Sequence, residues 1–196
     1  MKKQKTLATV PQTKHSIRII GGGLRGRKIE VKNRLGLRPS GDRVRETLFN
    51  WLQGRILGAK VLDAFAGTGA LGIEALSREA ERVDFCEKHP ATAQDLELVL
   101  KKFALADRAR VFLTDALALP AAVTPYDLIL LDPPFAENLL SAALSKFSNS
   151  QWLAPAGMIY YECPRNQEVN IPAELQIYRE KQTSNLQFAL LRVRAS

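Results

Sequence analysis

Cysteine is scarce in this sequence, and so are long apolar runs. Its two cysteines, Cys86 and Cys163, lie far apart and show no Cys-x-x-Cys spacing, so neither a disulfide framework nor a zinc site is expected. No apolar run approaches the roughly 20 residues of a membrane helix. The basic N-terminus is not followed by the hydrophobic region of a secretory signal. These absences predict a cytoplasmic protein without a metal ion or a membrane attachment.

Charge is distributed unevenly along the 196 residues, which carry a net charge of +8. Residues 1–59 hold 14 Lys and Arg against 3 Asp and Glu, a balance of +11. Residues 60–196 hold 14 against 17, a balance of −3. Such an excess at one end is typical of a surface that binds a polyanion. A solvated basic tail is the alternative interpretation.

Apolar segments alternate with helical patterns from Lys60 onward, which predicts an α/β fold with a parallel sheet. The predicted strands are 61–65, 83–86, 109–113, 126–131 and 158–162, with helices at 69–79, 91–102 and 137–149. Two further strands at 176–181 and 188–193 lack a helix between them and should pair antiparallel. Ahead of the sheet we expect a tail at 1–15 and a hairpin extension with its loop at 16–42, whose two short strands are 17–20 and 28–31. A main domain at 43–196 follows and opens with a helix at 43–53.

The strand at 61–65 runs into a glycine turn that opens a helix. Asp63 would repel the pyrophosphate of a nicotinamide dinucleotide, whereas it suits the amino group and sulfonium of S-adenosylmethionine. The amides at the helix start can receive that ligand's carboxylate. The predicted cofactor-binding residues here are Asp63, Phe65, Ala66, Gly67 and Gly69. A tight turn that binds no ligand is the alternative.

Acidic residues also follow the next two strands. Glu87 can accept hydrogen bonds from both hydroxyls of a ribose. Asp115, beside Ala116, can accept the amino group of adenine. The alternatives are an ordinary strand-end carboxylate for Glu87 and helix capping by Thr114 or Asp115.

Asp132-Pro133-Pro134-Phe135 follows the most apolar strand and carries the predicted catalytic loop. Two prolines stiffen the loop and remove two N–H donors, which leaves the Asp132 carboxylate and backbone carbonyls as acceptors. An exocyclic amino group of a base offers two N–H donors that match them. Phe135 offers a face for stacking. The loop therefore predicts methylation of a base amino group, in guanine or in adenine, with a plain proline turn as the alternative.

Basic residues of the extension are candidates for phosphate contacts. The predicted RNA-binding residues are Arg18, Arg25, Arg27, Lys28 and Arg38, with Lys32 and Arg34 nearby. The segment 38–46 precedes the cofactor motif and could lie across the cofactor pocket, where Arg43 would contact the ligand. Salt bridges on a helix surface are the alternative for each residue.

The whole pattern beyond the first fifteen residues resembles the bacterial 16S ribosomal RNA guanine-N2 methyltransferases known as RsmD. The motifs that carry the resemblance are Arg18-Ile19-Ile20-Gly21-Gly22, Arg25-Gly26-Arg27, Leu37-Arg38-Pro39, the stretch 42–52, the stretch 63–72, the stretch 74–78 and Asp132-Pro133-Pro134-Phe135. The resemblance implies a Rossmann-like class I S-adenosylmethionine-dependent methyltransferase, with a mostly parallel seven-stranded sheet, an antiparallel C-terminal strand and an N-terminal β-hairpin.

The same resemblance implies the substrate. It points to N2-methylation of guanine 966 in 16S rRNA, within the small ribosomal subunit or its assembly intermediate, by a monomer that uses S-adenosyl-L-methionine. Three alternatives stay open: N6-methylation of adenine in DNA or RNA, a ribosome assembly factor whose catalysis is incidental, and a nicotinamide oxidoreductase.

Overall fold

A computed structural model describes residues 15–31, 41–121 and 124–194 of the chain. All but the last residue of the predicted tail lies outside these ranges. The RNA contact predicted for Arg38 also lies outside them, as do Lys32 and Arg34.

The described residues form a two-stranded hairpin and a seven-stranded sheet with helices on both faces. The strands are β1 His15–Arg18, β2 Lys28–Val31, β3 Lys60–Asp63, β4 Arg82–Glu87, β5 Ala109–Leu113, β6 Tyr126–Leu131, β7 Leu153–Pro164, β8 Leu175–Gln182 and β9 Leu186–Val193. The helices are α1 Asp42–Trp51, α2 Ala70–Ser77, α3 Pro90–Lys102 and α4 Leu140–Phe147. None of the helices in the described ranges is long and apolar enough to cross a membrane.

The sheet has the order β5-β4-β3-β6-β7-β9-β8, and the predicted fold class is confirmed. Strands β3 to β7 pair in parallel, while β9 runs antiparallel between β7 and β8. The chain moves outward from β3 through β4 to β5 and then returns to β6 on the other side of β3. Ligands of open α/β sheets bind at the carboxyl ends of the strands beside such a reversal. The topology therefore places the binding crevice above β3 and β6.

Two separate hydrophobic cores cover the two faces of the sheet. Helices α1, α2 and α3 bury Leu48, Leu76 and Leu96 on one face, which we call the α1 face. Helix α4 buries Leu140 and Leu144 on the opposite face. The hairpin contributes its own apolar residues to the α1-face core, so it packs as part of that core.

Strand β1 ends at Arg18, two residues earlier than the alternating pattern predicts. The backbone N–H groups of Ile20 and Gly21 instead donate to the two carboxylate oxygens of Glu74, each at 2.8 Å. Glu74 lies on α2 and is fully buried. Pairing within the hairpin continues through Ile19, whose N–H donates to the carbonyl of Arg27 at 2.9 Å and whose carbonyl accepts from Gly26. The N–H of Ile20 faces away from β2, and its charge-assisted bond to Glu74 attaches the end of the strand to α2.

Arg45 of α1 completes this buried group and is itself fully buried. Its Nη2 donates to the carbonyl oxygen of Arg18 at 2.8 Å and to Asp42 Oδ1 at 2.7 Å, and its Nη1 lies 3.6 Å from Glu74 Oε2. Arg78 Nε donates to the other Glu74 oxygen at 2.8 Å. The hairpin, α1 and α2 are therefore joined through one carboxylate that has two cationic partners.

Gly22 lets the hairpin turn touch the end of α2. Its φ is +73°, and a Cβ atom there would lie 1.8 Å from the carbonyl oxygen of Ser77. The Ser77 hydroxyl accepts from the N–H of Leu24 at 3.0 Å and donates to the carbonyl of Gly21 at 2.5 Å. Only a residue without a side chain fits this contact.

Replacement of Gly22 by alanine should therefore destabilise the protein more than the same change at Gly26. Both glycines have positive φ, but a Cβ at Gly26 would meet nothing within 4 Å. Gly26→Ala should cost about 1–2 kcal/mol through backbone strain alone. We expect Gly22→Ala to cost about 1–3 kcal/mol more because of the overlap with Ser77. Urea unfolding of the two variants measures the difference, and equal losses would contradict the docking role of Gly22.

Candidate functional site

A cavity of about 530 Å³ opens at the carboxyl ends of β3, β4, β5 and β6. The segments that follow these four strands line it, together with the first residues of α2 and α3. Its size falls within the range of small-molecule and cofactor sites. The parallel sheet brings these segments together because all four strands end at the same edge.

Most of the residues predicted as a site line this one cavity. They are Asp63, Phe65, Ala66, Gly67, Glu87, Asp115, Ala116, Asp132, Pro133, Pro134 and Phe135. Gly69 and Arg43 are not among its lining residues. A Cβ at Gly69 would lie 2.4 Å from Leu96 Cδ1, so this glycine permits close packing of α2 against α3. Arg43 is exposed on α1.

Asp63 is the most deeply buried acid of the cavity, at 2% exposure. Burial raises its pKa from 3.8 to about 7, the N–H of Gly72 at 3.0 Å from Oδ2 lowers it, and the charge of Glu87 raises it. Such a carboxylate is costly to ionise. A cationic ligand group would offset that cost, which suits an ammonium or a sulfonium rather than a pyrophosphate.

Glu87 fixes the shape of the glycine turn. Its Oε2 accepts from the N–H of Gly67 at 2.9 Å, and its Oε1 accepts from the N–H of His89 at 2.7 Å. These two bonds connect the loop after β3 to the loop after β4. Each carboxylate oxygen keeps a second lone pair with which it could accept a hydroxyl.

Asp115 has a structural bond in addition to its place in the cavity wall. Its Oδ1 accepts from the N–H of Leu117 at 2.7 Å and caps the short 3₁₀ turn Ala116–Ala118. Helix capping, the alternative role for Asp115, therefore occupies one of its two carboxylate oxygens. The second oxygen leaves the carboxylate able to accept a further donor.

The loop Asp132-Pro133-Pro134-Phe135 leads into a 3₁₀ turn at Phe135–Glu137. The N–H of Glu137 donates to the carbonyl of Pro134 at 3.1 Å, and Lys88 Nζ lies 2.6 and 2.7 Å from the two Glu137 carboxylate oxygens. Lys88 and Glu137 both line the cavity. The sequence does not predict this ion pair, because 49 residues separate Lys88 from Glu137 and neither residue belongs to a recognisable motif.

Of the basic residues predicted to bind RNA, Arg18, Arg25, Arg27 and Lys28 are exposed, but Arg25 and Arg27 lie away from the cavity. The guanidinium of Arg27 is 5.5 Å from the centre of the Phe103 ring, just beyond the last residue of α3. The first residues of α3 line the cavity, and a helix of 13 residues is about 20 Å long. The hairpin turn therefore lies at the opposite end of α3 from the cavity.

Comparison with known proteins gives concordant results. The family model described as "conserved hypothetical protein 95" matches residues 17–192. The chain is 39% identical over 194 residues to a ribosomal RNA small subunit methyltransferase D of Haemophilus influenzae, covering 97% of this chain and 98% of that protein.

Solved structures agree with this result. A putative methyltransferase from Escherichia coli superposes with a TM-score of 0.82 at 39% identity, covering 93% of this chain and all of that one. An RNA methyltransferase from Salinibacter ruber, solved in complex with S-adenosyl-L-homocysteine, superposes with a TM-score of 0.64 at 12% identity and covers 81% of this chain and 95% of that one. At that identity the second likeness shows the fold alone.

The raised pKa of Asp63 predicts how its replacement affects stability. Because the folded-state pKa lies above the unfolded value, Asp63 contributes stability below about pH 4, and that contribution is lost as the pH rises through about 7. Relative to Asp63→Asn, the wild type should therefore lose on the order of 2–4 kcal/mol between about pH 4 and pH 8. Urea unfolding of both proteins at the two pH values checks this. A stability difference that stays constant with pH would contradict it.

Proposed function

The chain belongs to the family of the small-subunit ribosomal RNA methyltransferases D, and from that membership we propose that it methylates the N2 amino group of a guanine in 16S rRNA. The observation that carries the proposal is the meeting of Asp63 and the Asp132 loop in one cavity. One acid suits the cationic end of the methyl donor, and the other suits the amino group that accepts the methyl.

S-adenosylmethionine is the cofactor, and when bound it supplies an electrophilic methyl group on a sulfonium. The cavity has the size and the donor set for it. We assign the buried Asp63 carboxylate to its cationic amino acid end, Glu87 to the ribose hydroxyls and Asp115 to the adenine amino group. The bonds from Gly67 and His89 to Glu87 hold that carboxylate in one orientation before the ligand arrives.

The Asp132 loop is assigned to the acceptor base. The nitrogen lone pair of a base amino group is delocalised into the ring, so it attacks poorly unless the nitrogen becomes pyramidal. Asp132 and a loop carbonyl accept its two N–H groups and favour that geometry as attack begins. Phe135 holds the base by stacking, and the Lys88–Glu137 ion pair supports the loop from the cavity side. Positioning of the amine in line with the methyl group supplies the remaining rate.

Two observations favour ribosomal RNA among the possible substrates. The relative from H. influenzae is named for the small-subunit RNA, and residues 1–59 carry the excess positive charge that a polyanion requires. The choice of guanine at position 966, and of N2, rests on the motifs shared with the guanine-N2 methyltransferases. Adenine N6 is the competing acceptor, because the Asp132 loop could hold either amino group.

Nucleoside analysis of the product tests the acceptor. Small ribosomal subunits purified from cells without this protein are incubated with it and with S-adenosylmethionine carrying a labelled methyl group. We expect label in N2-methylguanine, mapped to one position of 16S rRNA. Label in N6-methyladenine, with none in N2-methylguanine, would replace guanine by adenine as the acceptor. The same incubation with duplex DNA should give no labelled base.

Asp132→Ala should separate catalysis from binding. We expect kcat to fall by about 10²–10³-fold, because a preorganised acceptor for the amine is lost. Affinity for S-adenosylmethionine and for the subunit should stay close to that of the wild type. Asp127→Ala is the matched control, since Asp127 lies near the start of β6, far from the loop, and bonds to the N–H of Lys60 at 2.8 Å. An unchanged kcat in Asp132→Ala would remove Asp132 from the mechanism.

A further inference from the structure

Three arginines converge on one tyrosine at the edge of the sheet, and two of them lie beside it in the last two strands of the chain. The guanidinium carbons of Arg179, Arg192 and Arg55 lie 4.6, 5.2 and 5.9 Å from the centre of the Tyr178 ring. All three arginines are exposed, and Tyr178 is half-buried against the α1-face core. We call this group the Tyr178 cluster.

An irregularity in the edge strand builds the cluster. Pairing of β8 with β9 shifts between Ile177 and Arg179, so Tyr178 is the extra residue of a β-bulge. Bulges change the direction in which side chains point. Arg179 pairs with Leu190 of the α1-face core, which places it on the same face as Tyr178. Arg55 reaches this face from the segment that follows α1.

No carboxylate within the described parts of the chain forms an ion pair with Arg55, Arg179 or Arg192. Burial and, to a smaller extent, nearby negative charges that include the neighbouring Glu180 raise the pKa of Tyr161 to about 12. Tyr161 belongs to the core on the opposite face, so Glu180 lies near that face and not beside the cluster. Three like charges around one ring repel each other, so packing alone does not favour the arrangement. An arginine stacked on a ring keeps its N–H edges free for a bidentate contact with phosphate.

The positively charged surface extends from the cluster toward the edge of the sheet at which the cavity opens. Lys181 pairs with Phe188, so it lies on the α1 face one step further along β8. Phe188 in turn pairs with Glu162 of β7, the residue that lies level with Asp132 across the sheet. Three strand spacings separate β8 from β6, a distance of roughly 15 Å. A polyanion held by the cluster thus passes close to the catalytic loop.

We propose that the Tyr178 cluster, continued by Lys181, binds the phosphate backbone of the RNA strand next to the methylated base. The proposal rests on the proposed function, because it takes ribosomal RNA as the substrate. It adds a contact surface that comes mostly from the last fifth of the chain, where the distribution of charge along the sequence indicates none, with Arg55 as its one contribution from the basic first third. Tyr178 acts as a positioning residue that orders the guanidinium planes.

The double variant Arg179→Gln/Arg192→Gln tests this contact. With small ribosomal subunits lacking the modification as substrate, KM should rise about ten-fold, and the slope of log KM against log salt should fall by about 2, one unit for each phosphate contact. The kcat at saturation and the affinity for S-adenosylmethionine should not change. Arg179→Lys/Arg192→Lys keeps both charges and should retain most of the salt dependence, which a merely structural role would not predict.

Arg110→Gln provides the matched control. Arg110 is an exposed arginine over an aromatic ring, 5.6 Å from the centre of Phe112, on the strand at the other edge of the sheet. It should leave KM and the salt slope unchanged. If the Tyr178 cluster variants behave like Arg110→Gln while the wild type methylates the subunit, the RNA contact is wrong and the proposed function stands. If the wild type itself transfers no methyl group to rRNA, the proposed function fails.

Ultraviolet cross-linking of the wild type to the same subunits identifies the partner. We expect the peptide that contains Tyr178 to be recovered attached to a 16S rRNA nucleotide. Recovery of that peptide attached to a ribosomal protein, and to no nucleotide, would overturn the RNA contact in favour of a protein docking surface.

Discussion

The carboxylate of Glu74 decides how the parts of this protein are arranged. It is buried on α2, accepts two backbone N–H groups from the hairpin segment, and is paired with Arg78 and Arg45. Breaking a buried pair leaves an uncompensated charge and costs about 3–5 kcal/mol. Helix α2 starts directly after the glycine turn of the cavity, so the same helix carries that turn at one end and the hairpin at the other. The Glu74 group, together with the Ser77 contact and the apolar packing of the hairpin, therefore sets the position of the hairpin relative to the cavity.

The buried carboxylates of the cavity lower the stability of the fold around it. Burial raises the pKa of Asp63, which is 2% exposed, to about 7, and the charge of Glu87, which is 8% exposed, adds to the rise. Perturbed carboxylates of this kind are common where a site must complement a charged ligand. Under the proposed assignment, the cationic end of S-adenosylmethionine would offset the cost of ionising Asp63, whereas the pyrophosphate of a dinucleotide with the same glycine pattern would add to it.

Most of the strands and helices were predictable from the sequence, but the bounds of two strands were not. The five parallel strands and four main helices are predictable because their apolar periods are strong, but β7 begins at Leu153 rather than at Met158. Residues 154–157 interrupt the apolar pattern, yet Tyr126 pairs with Leu153 before the register shifts at Leu128. Likewise, the N–H groups of Ile20 and Gly21, where the predicted first strand ends, are satisfied by Glu74, which lies more than fifty residues away. Neither partner can be predicted from a local sequence pattern, because both lie far away along the chain.

Sequence alone determined the acids and the proline loop as one site, because every strand of a parallel sheet delivers its following residues to the same edge. It also indicated a basic first third and, through its motifs, the family. Only the tertiary structure decided which charges act together. It placed Arg25 and Arg27 beyond the far end of α3, paired Lys88 with Glu137, and gathered Arg55, Arg179 and Arg192 around Tyr178. For the Tyr178 cluster the physical reason is the insertion of β9 between β7 and β8, together with the bulge in β8, since neither strand order nor a bulge leaves a periodic signal in the sequence. For the other groups the reason is the docking of the hairpin on α2 and a pairing across 49 residues, neither of which a local pattern contains.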